Sequence, residues 1–195
     1  MTVWLSMAAF ALAASISPGP VNIVALSSGA RFGLRASMAH VSGATFGFTL
    51  LLLLTGLGLN QVLARWPLLT TYIQWGGVAF LLYMAYRLAT DDGRLGEDDN
   101  AKGPSLLGGA AMQWLNPKAW LASVAGMGAF ASDGEALLVW QFTLIYFVIC
   151  YLSIACWAYV GTFLRAYLNN PQGVRLFNRL MAVLLVGCAA YLLWS

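Results

Sequence analysis

Charge is what this chain has least of. Only 9% of its 195 residues are Asp, Glu, Lys or Arg, where a soluble domain carries about 25%. Too little polar surface exists to coat a water-soluble globule, so a sizeable soluble module is excluded. Histidine occurs once, as His40, and the three cysteines are Cys150, Cys156 and Cys188. All three lie in apolar runs with no CxxC or Cys/His spacing, so neither a metal site nor a cofactor is expected. No GxSxG-type nucleophile elbow is present, and there is no partner set for a hydrolase or transferase. An intramembrane enzyme is therefore poorly supplied, and no catalytic residue is assigned. No Lys or Arg precedes the apolar N-terminal stretch, which argues against a signal peptide and for a retained first helix. The net charge of +3 is read as loop residues that set topology, not as a nucleic-acid surface.

What is there instead is apolar sequence: 61% hydrophobic residues and a mean hydropathy of +0.75. About 20 apolar residues cross the hydrocarbon core of a bilayer. Six such spans are expected, at about 3–28, 36–63, 67–86, 104–130, 136–164 and 176–194. The fold class is thus all-α integral membrane, a single transmembrane domain over 1–195. A polar stretch, 91–103, divides it into repeat one (about 1–90) and repeat two (about 104–195).

Basic residues set the orientation. Arg31 and Arg35 fall in the first connection, Arg87, Arg94 and Lys102 in the third, and Arg165, Arg175 and Arg179 around the fifth. The opposite side has Arg65 alone. Positive loops stay cytoplasmic, so both termini are expected outside a multi-pass cytoplasmic (inner) membrane protein. Trp4, Trp66, Trp140 and Trp194 would then mark the outer interface.

Two proline breaks interrupt the first and fourth spans near mid-membrane: Ser17-Pro18-Gly19-Pro20 and Leu115-Asn116-Pro117-Lys118. Lipid cannot hydrogen-bond an interrupted backbone, so such breaks persist only inside protein or along a polar cavity. They also sit at matching places. Pro20 precedes Gly29 by nine residues, and Pro117 precedes Gly126 by nine. A second match joins Gly76-Gly77-Val78-Ala79-Phe80-Leu81-Leu82 to Gly187-Cys188-Ala189-Ala190-Tyr191-Leu192-Leu193. With three spans in each half, two copies must insert with opposite topology, giving two inverted three-helix repeats.

Paired broken helices point to a transporter's binding site. Pro20 suits the first position of a half-helix, and the N–H groups of Val21 and Asn22 then lack intrahelical acceptors. They form an anion-friendly end together with Pro18 and Gly19. Asn116 can cap the half-helix that begins at Pro117. Lys118 is the one Lys or Arg well inside a span, at a cost of roughly 3 kcal/mol, and no span holds an Asp or Glu. Its partners must be carbonyls freed by the breaks, water or an anionic ligand, and the ligand-facing arrangement is favoured over snorkelling. Gln113, Asn22 and Asn116 would bind a substrate's amino group or side chain. His40 is a candidate proton relay, though a lone histidine near an interface is more often structural. Gly43 and Gly47 form a GxxxG pair suited to close packing within the chain rather than to a dimer. The substrate is therefore expected to be a small molecule carrying a carboxylate. The other expected partner is the bilayer, and a homo-oligomer stays open. A passive channel or a carrier of another small metabolite is the alternative.

The Ser-Pro-Gly-Pro motif and the series Gly29, Gly33, Gly43, Gly47 resemble the LysE/RhtB family of amino-acid exporters. Gln113-Trp114-Leu115-Asn116-Pro117-Lys118-Ala119 looks like that family's fourth-span motif. Length and span number agree over the whole chain. The resemblance implies export of amino acids or their derivatives, driven by the proton gradient or the membrane potential. It also implies that Pro18, Gly19, Pro20, Asn116, Pro117 and Lys118 line or shape the site. Some members carry an acidic residue after the second-span glycine. Here Phe48 follows Gly47, which weakens a cationic substrate, favours a neutral one and leaves proton coupling without an acid.

Overall fold

The structure, a computed structural model, describes residues 2–59, 67–91, 103–131, 135–167 and 171–194. Among these residues it is all-helical, with seven α-helices and no strand. The first helix, α1, runs Thr2–Ile16 and stops where Pro18 disfavours helical angles at the preceding residue. Gly19 is extended (φ −170°, ψ 173°), and Pro20 opens α2, Pro20–Leu54. This helix is two rods joined at Gly33, whose φ of 80° and ψ of 171° suit glycine alone. The connection expected between the first two spans thus shrinks to one residue, with Arg31 and Arg35 on helical turns to either side. A π-helical turn, Thr55–Leu59, follows the second rod; the expected end at 63 lies outside the described residues.

The third helix, α3, covers Pro67–Ala89, one turn beyond the expected 86. The fourth expected span is two helices, α4 (Leu106–Trp114) and α5 (Pro117–Phe130). Ser105 caps α4, its Oγ accepting from the Gly108 amide at 3.0 Å. Two long helices follow, α6 (Ala136–Tyr167) and α7 (Pro171–Trp194). The last begins earlier than the expected 176, because Pro171 provides an N-terminal start.

Three stretches are long and apolar enough to cross a membrane on their own: Pro20–Gly58, Ala136–Leu164 and Pro171–Ala190. At 15 residues, α1 rises roughly 22 Å, less than the ~30 Å of a hydrocarbon core. The two halves of the 104–130 segment are shorter still, so the broken segments do not count as spans alone. The exterior is apolar, with Leu5, Leu107, Leu137, Trp140, Leu144 and Val183 all more than half exposed. Water-soluble monomers rarely tolerate so much continuous apolar surface.

Inside, small residues let backbones touch. A Cβ on Gly29 would overlap the Ala158 carbonyl, and one on Gly161 would overlap the Leu26 carbonyl, so the first rod of α2 lies against α6. Gly43 faces the Leu106 backbone, Gly47 faces Ala110, and Gly109 faces the His40 carbonyl, which seats the second rod on α4. The GxxxG pair is spent on contacts within the chain, as expected. Between helices in lipid, such close approach replaces the hydrophobic drive available in water. An aromatic cluster of Phe10, Phe130, Phe142 and Tyr146 ties α1, α5 and α6 together. Trp4 donates to Gln141 Oε1 at 3.2 Å, so exposed Trp4 and Trp140 lie at one level. Trp66, Arg65, Arg94 and Lys102 lie outside the described residues, as do the side chains of Arg165 and Trp194.

Candidate functional site

Both helix breaks meet at one place, and the hydrogen bonds there can be traced group by group. Breaking α1 frees its last carbonyls, which need donors. Asn22 Nδ2 donates to Ser15 O at 2.8 Å and Ser17 O at 2.9 Å. Trp157 Nε1, from α6, donates to Ile16 O at 3.0 Å. Ser17 Oγ turns back to Ala14 O at 3.2 Å. The remaining donor comes from the second break. Lys118 Nζ donates to Ser17 O at 2.7 Å, to Ser17 Oγ at 2.8 Å and to Pro18 O at 3.3 Å. An ammonium at the carbonyl end of α1 also faces the negative end of that helix's dipole.

The second break is capped as its sequence suggests. Asn116 Oδ1 accepts from the Lys118 amide at 3.1 Å, and Asn116 Nδ2 donates to Gln113 Oε1 at 3.4 Å. Trp120 Nε1 closes the Trp114 carbonyl at 2.7 Å. The side chain of Lys118 runs alongside Gly19: a Cβ there would stand 3.2 Å from Lys118 Cδ. A side chain in the middle of Pro-Gly-Pro would press on Lys118, which would have to shift by a few tenths of an ångström.

These groups surround a cavity of about 40 Å³, room for a water molecule or two. Its lining includes six of the residues expected from sequence: Gly19, Val21, Asn22, Gln113, Asn116 and Lys118. Pro18, Pro20 and Pro117 do not line it; they shape the backbone that does. Phe48, noted in the sequence for the acid it replaces, borders it too, and sequence reading missed Ser15, Tyr146 and Cys150. Phe48 packs on Tyr146 with ring centroids 4.5 Å apart. Tyr146 and Cys150 sit in an unbroken apolar run of α6, where nothing local distinguishes them from packing residues. Lys118 Nζ is held by freed carbonyls, one of the three partners left open, while its side chain borders the cavity. The Asn22 amide nitrogen is likewise already engaged, leaving its oxygen for anything that enters.

His40 is buried, 3% exposed, and its Nε2 lies 3.3 Å from the carbonyl of Val21. It borders a second, larger cavity of about 240 Å³ between α2, α3 and α4. His40 therefore stands in the partition between the two hollows. Val21 and Gln113 face the central one, while Val24 and Met112 face the larger one.

An ammonium, the starts of two half-helices (the second capped by Asn116) and an interrupted backbone thus surround one hollow in an apolar bundle. The LysE type translocator family matches residues 12–195. This chain belongs to that family. As a LysE-type translocator it is a membrane transporter, not an enzyme. It is similar to the cysteine/O-acetylserine efflux protein of Escherichia coli (strain K12), 29% identical over 184 residues and covering 92% of each chain. The protein of the same description from Salmonella typhimurium (strain LT2) is 29% identical over 187 residues, with the same 92% coverage of each. No solved structure matches the chain.

Proposed function

We propose that this translocator exports small neutral amino acids of the cysteine and O-acetylserine kind across the cytoplasmic membrane, driven by the proton gradient. The observation that carries the reading is the meeting of both breaks and Lys118 around the central cavity. In the closed arrangement, α1's carbonyls hold the ammonium. A substrate carboxylate competes for the same ammonium and for the Val21 and Asn22 amides at the start of α2. Binding therefore loosens the contact between Ser17-Pro18 and Lys118, coupling occupancy to movement of one break past the other. The cavity is too small for an amino acid until that contact parts.

The neutral preference rests on the lining. Among the described residues no carboxylate borders the cavity, and Phe48 occupies the place where an acid would favour a cationic side chain. The hydroxyls of Ser15 and Tyr146 and the thiol of Cys150 suit a short polar side chain.

The inverted repeat of six spans belongs to the same proposal. Glycine contacts from its two halves support it. Gly161 of α6 packs on Leu26 and Ala30 after the first break, and Gly56 packs on Met127 after the second. Counted from the prolines, Ala30 and Met127 hold the same position. Arg31 and Arg87 border the larger cavity, which supports reading it as a cytoplasmic vestibule, with both termini outside. His40 is assigned to the partition. Its bond to Val21 O makes it the candidate to relay a proton, in the absence of any acid at the central site.

Inverted vesicles containing the chain and given an imposed proton gradient are expected to accumulate labelled cysteine or O-acetylserine, and an uncoupler should abolish the accumulation. Movement that never exceeds equilibrium would make the protein a channel. No accumulation of any amino acid in a broad panel would overturn the substrate class.

A further inference from the structure

The vestibule has a chemistry of its own. Three charged side chains border it, Arg31, Arg87 and Asp91, together with Ser27, Ser28 and Asn178. Arg31 pairs with Asp91, whose side chain is only 3% exposed, and the Arg31 guanidinium also sits over the Phe32 ring, 5.2 Å from its centroid. Among the described residues, that leaves one cationic side chain in surplus. Arg87, at the C-terminal end of α3, makes no hydrogen bond or ion pair among the described residues. The hollow is about 240 Å³ against about 40 Å³ for the central cavity, so of these two it is the one that admits an amino acid in this conformation. Its inner wall is His40 and Met112, one layer from Val21 and Gln113.

We propose that the vestibule is a second, acceptor site for zwitterionic amino acids, in which Arg87 takes the α-carboxylate and Asp91, shared with Arg31, receives the ammonium. The inference rests on the transport reading above, because the molecule held here is the one passed on to Lys118. A guanidinium fork matches a carboxylate in two parallel hydrogen bonds. The Arg31–Asp91 pair keeps the buried carboxylate compensated when the site is vacant. Ser27 and Ser28, one turn beyond Val24 on α2, continue the polar track toward the first break.

Arg87 is exposed on its helix, so replacing it leaves the packing intact. With Arg87→Gln, the half-saturating cysteine concentration is expected to rise about tenfold from the arginine-bearing face, with the maximal rate within about twofold of the unaltered chain. From the opposite face it should not change, and Arg87→Lys should recover part of the loss. A structural role would lower rate and yield from both faces alike. A second measurement isolates the site. The purified Lys118→Met chain, its central site disabled, should still show NMR saturation transfer to cysteine, and the Lys118→Met/Arg87→Gln chain should not. An unchanged half-saturation from both faces, or loss of all binding in Lys118→Met alone, overturns the acceptor site. Failure of the transport reading looks different: the unaltered chain itself would not accumulate cysteine.

Discussion

Lys118 and Asn22 do complementary work at the end of α1. Each supplies donors to carbonyls that a bilayer would leave bare, and both reach Ser17 O. Their need for partners was legible in the sequence, since a lone ammonium among apolar residues must be compensated. Which partner it takes was not, because that depends on α5 meeting α1 across about a hundred positions of chain. Cys150 and Tyr146 were illegible for the same reason: a helix-period apolar run gives no sign of which turn borders a hollow. Asn116 was legible, because a cap is a local device. Asn116→Ala is expected to lower stability in detergent by about 1 kcal/mol, a few degrees of melting temperature. Asn22→Leu should cost more, about 1–3 kcal/mol, because it strands a buried carbonyl at Ser15. Thermal melts of the two variants, side by side, check both the sizes and the order.

At the scale of elements, the breaks were visible because proline and glycine act locally. The turn at Gly33 was expected as a loop; a single glycine at positive φ does the whole job, so the boundary moved. The boundaries at 89 and 171 moved by about a turn from the expected 86 and 176, the second because Pro171 opens its helix. The glycine contacts divide sharply. Gly47 faces the Ala110 Cα, which its Cβ would meet at 2.7 Å, whereas Gly187 faces open space within 4 Å. Gly47→Leu should force α2 off α4 and collapse the yield of folded protein. Gly187→Leu should leave yield and melting temperature near those of the unaltered chain. Size-exclusion profiles of the two variants decide it, and equal behaviour would mean that the second rod of α2 does not lie on α4 as described.

For the whole molecule, composition alone gave the class, since so few charged residues cannot coat a soluble globule. The family followed from motifs spread over the chain. The central cavity and the larger one beside it were not in the sequence, because volume arises only where separate helices fail to touch. The account turns on Lys118 exchanging α1's carbonyls for a substrate carboxylate. The most direct measurement is gradient-driven cysteine accumulation in inverted vesicles holding matched amounts of the unaltered, Lys118→Arg and Lys118→Met chains. Accumulation should fall to the level of empty vesicles with methionine and persist in part with arginine; full accumulation by the methionine variant would contradict it.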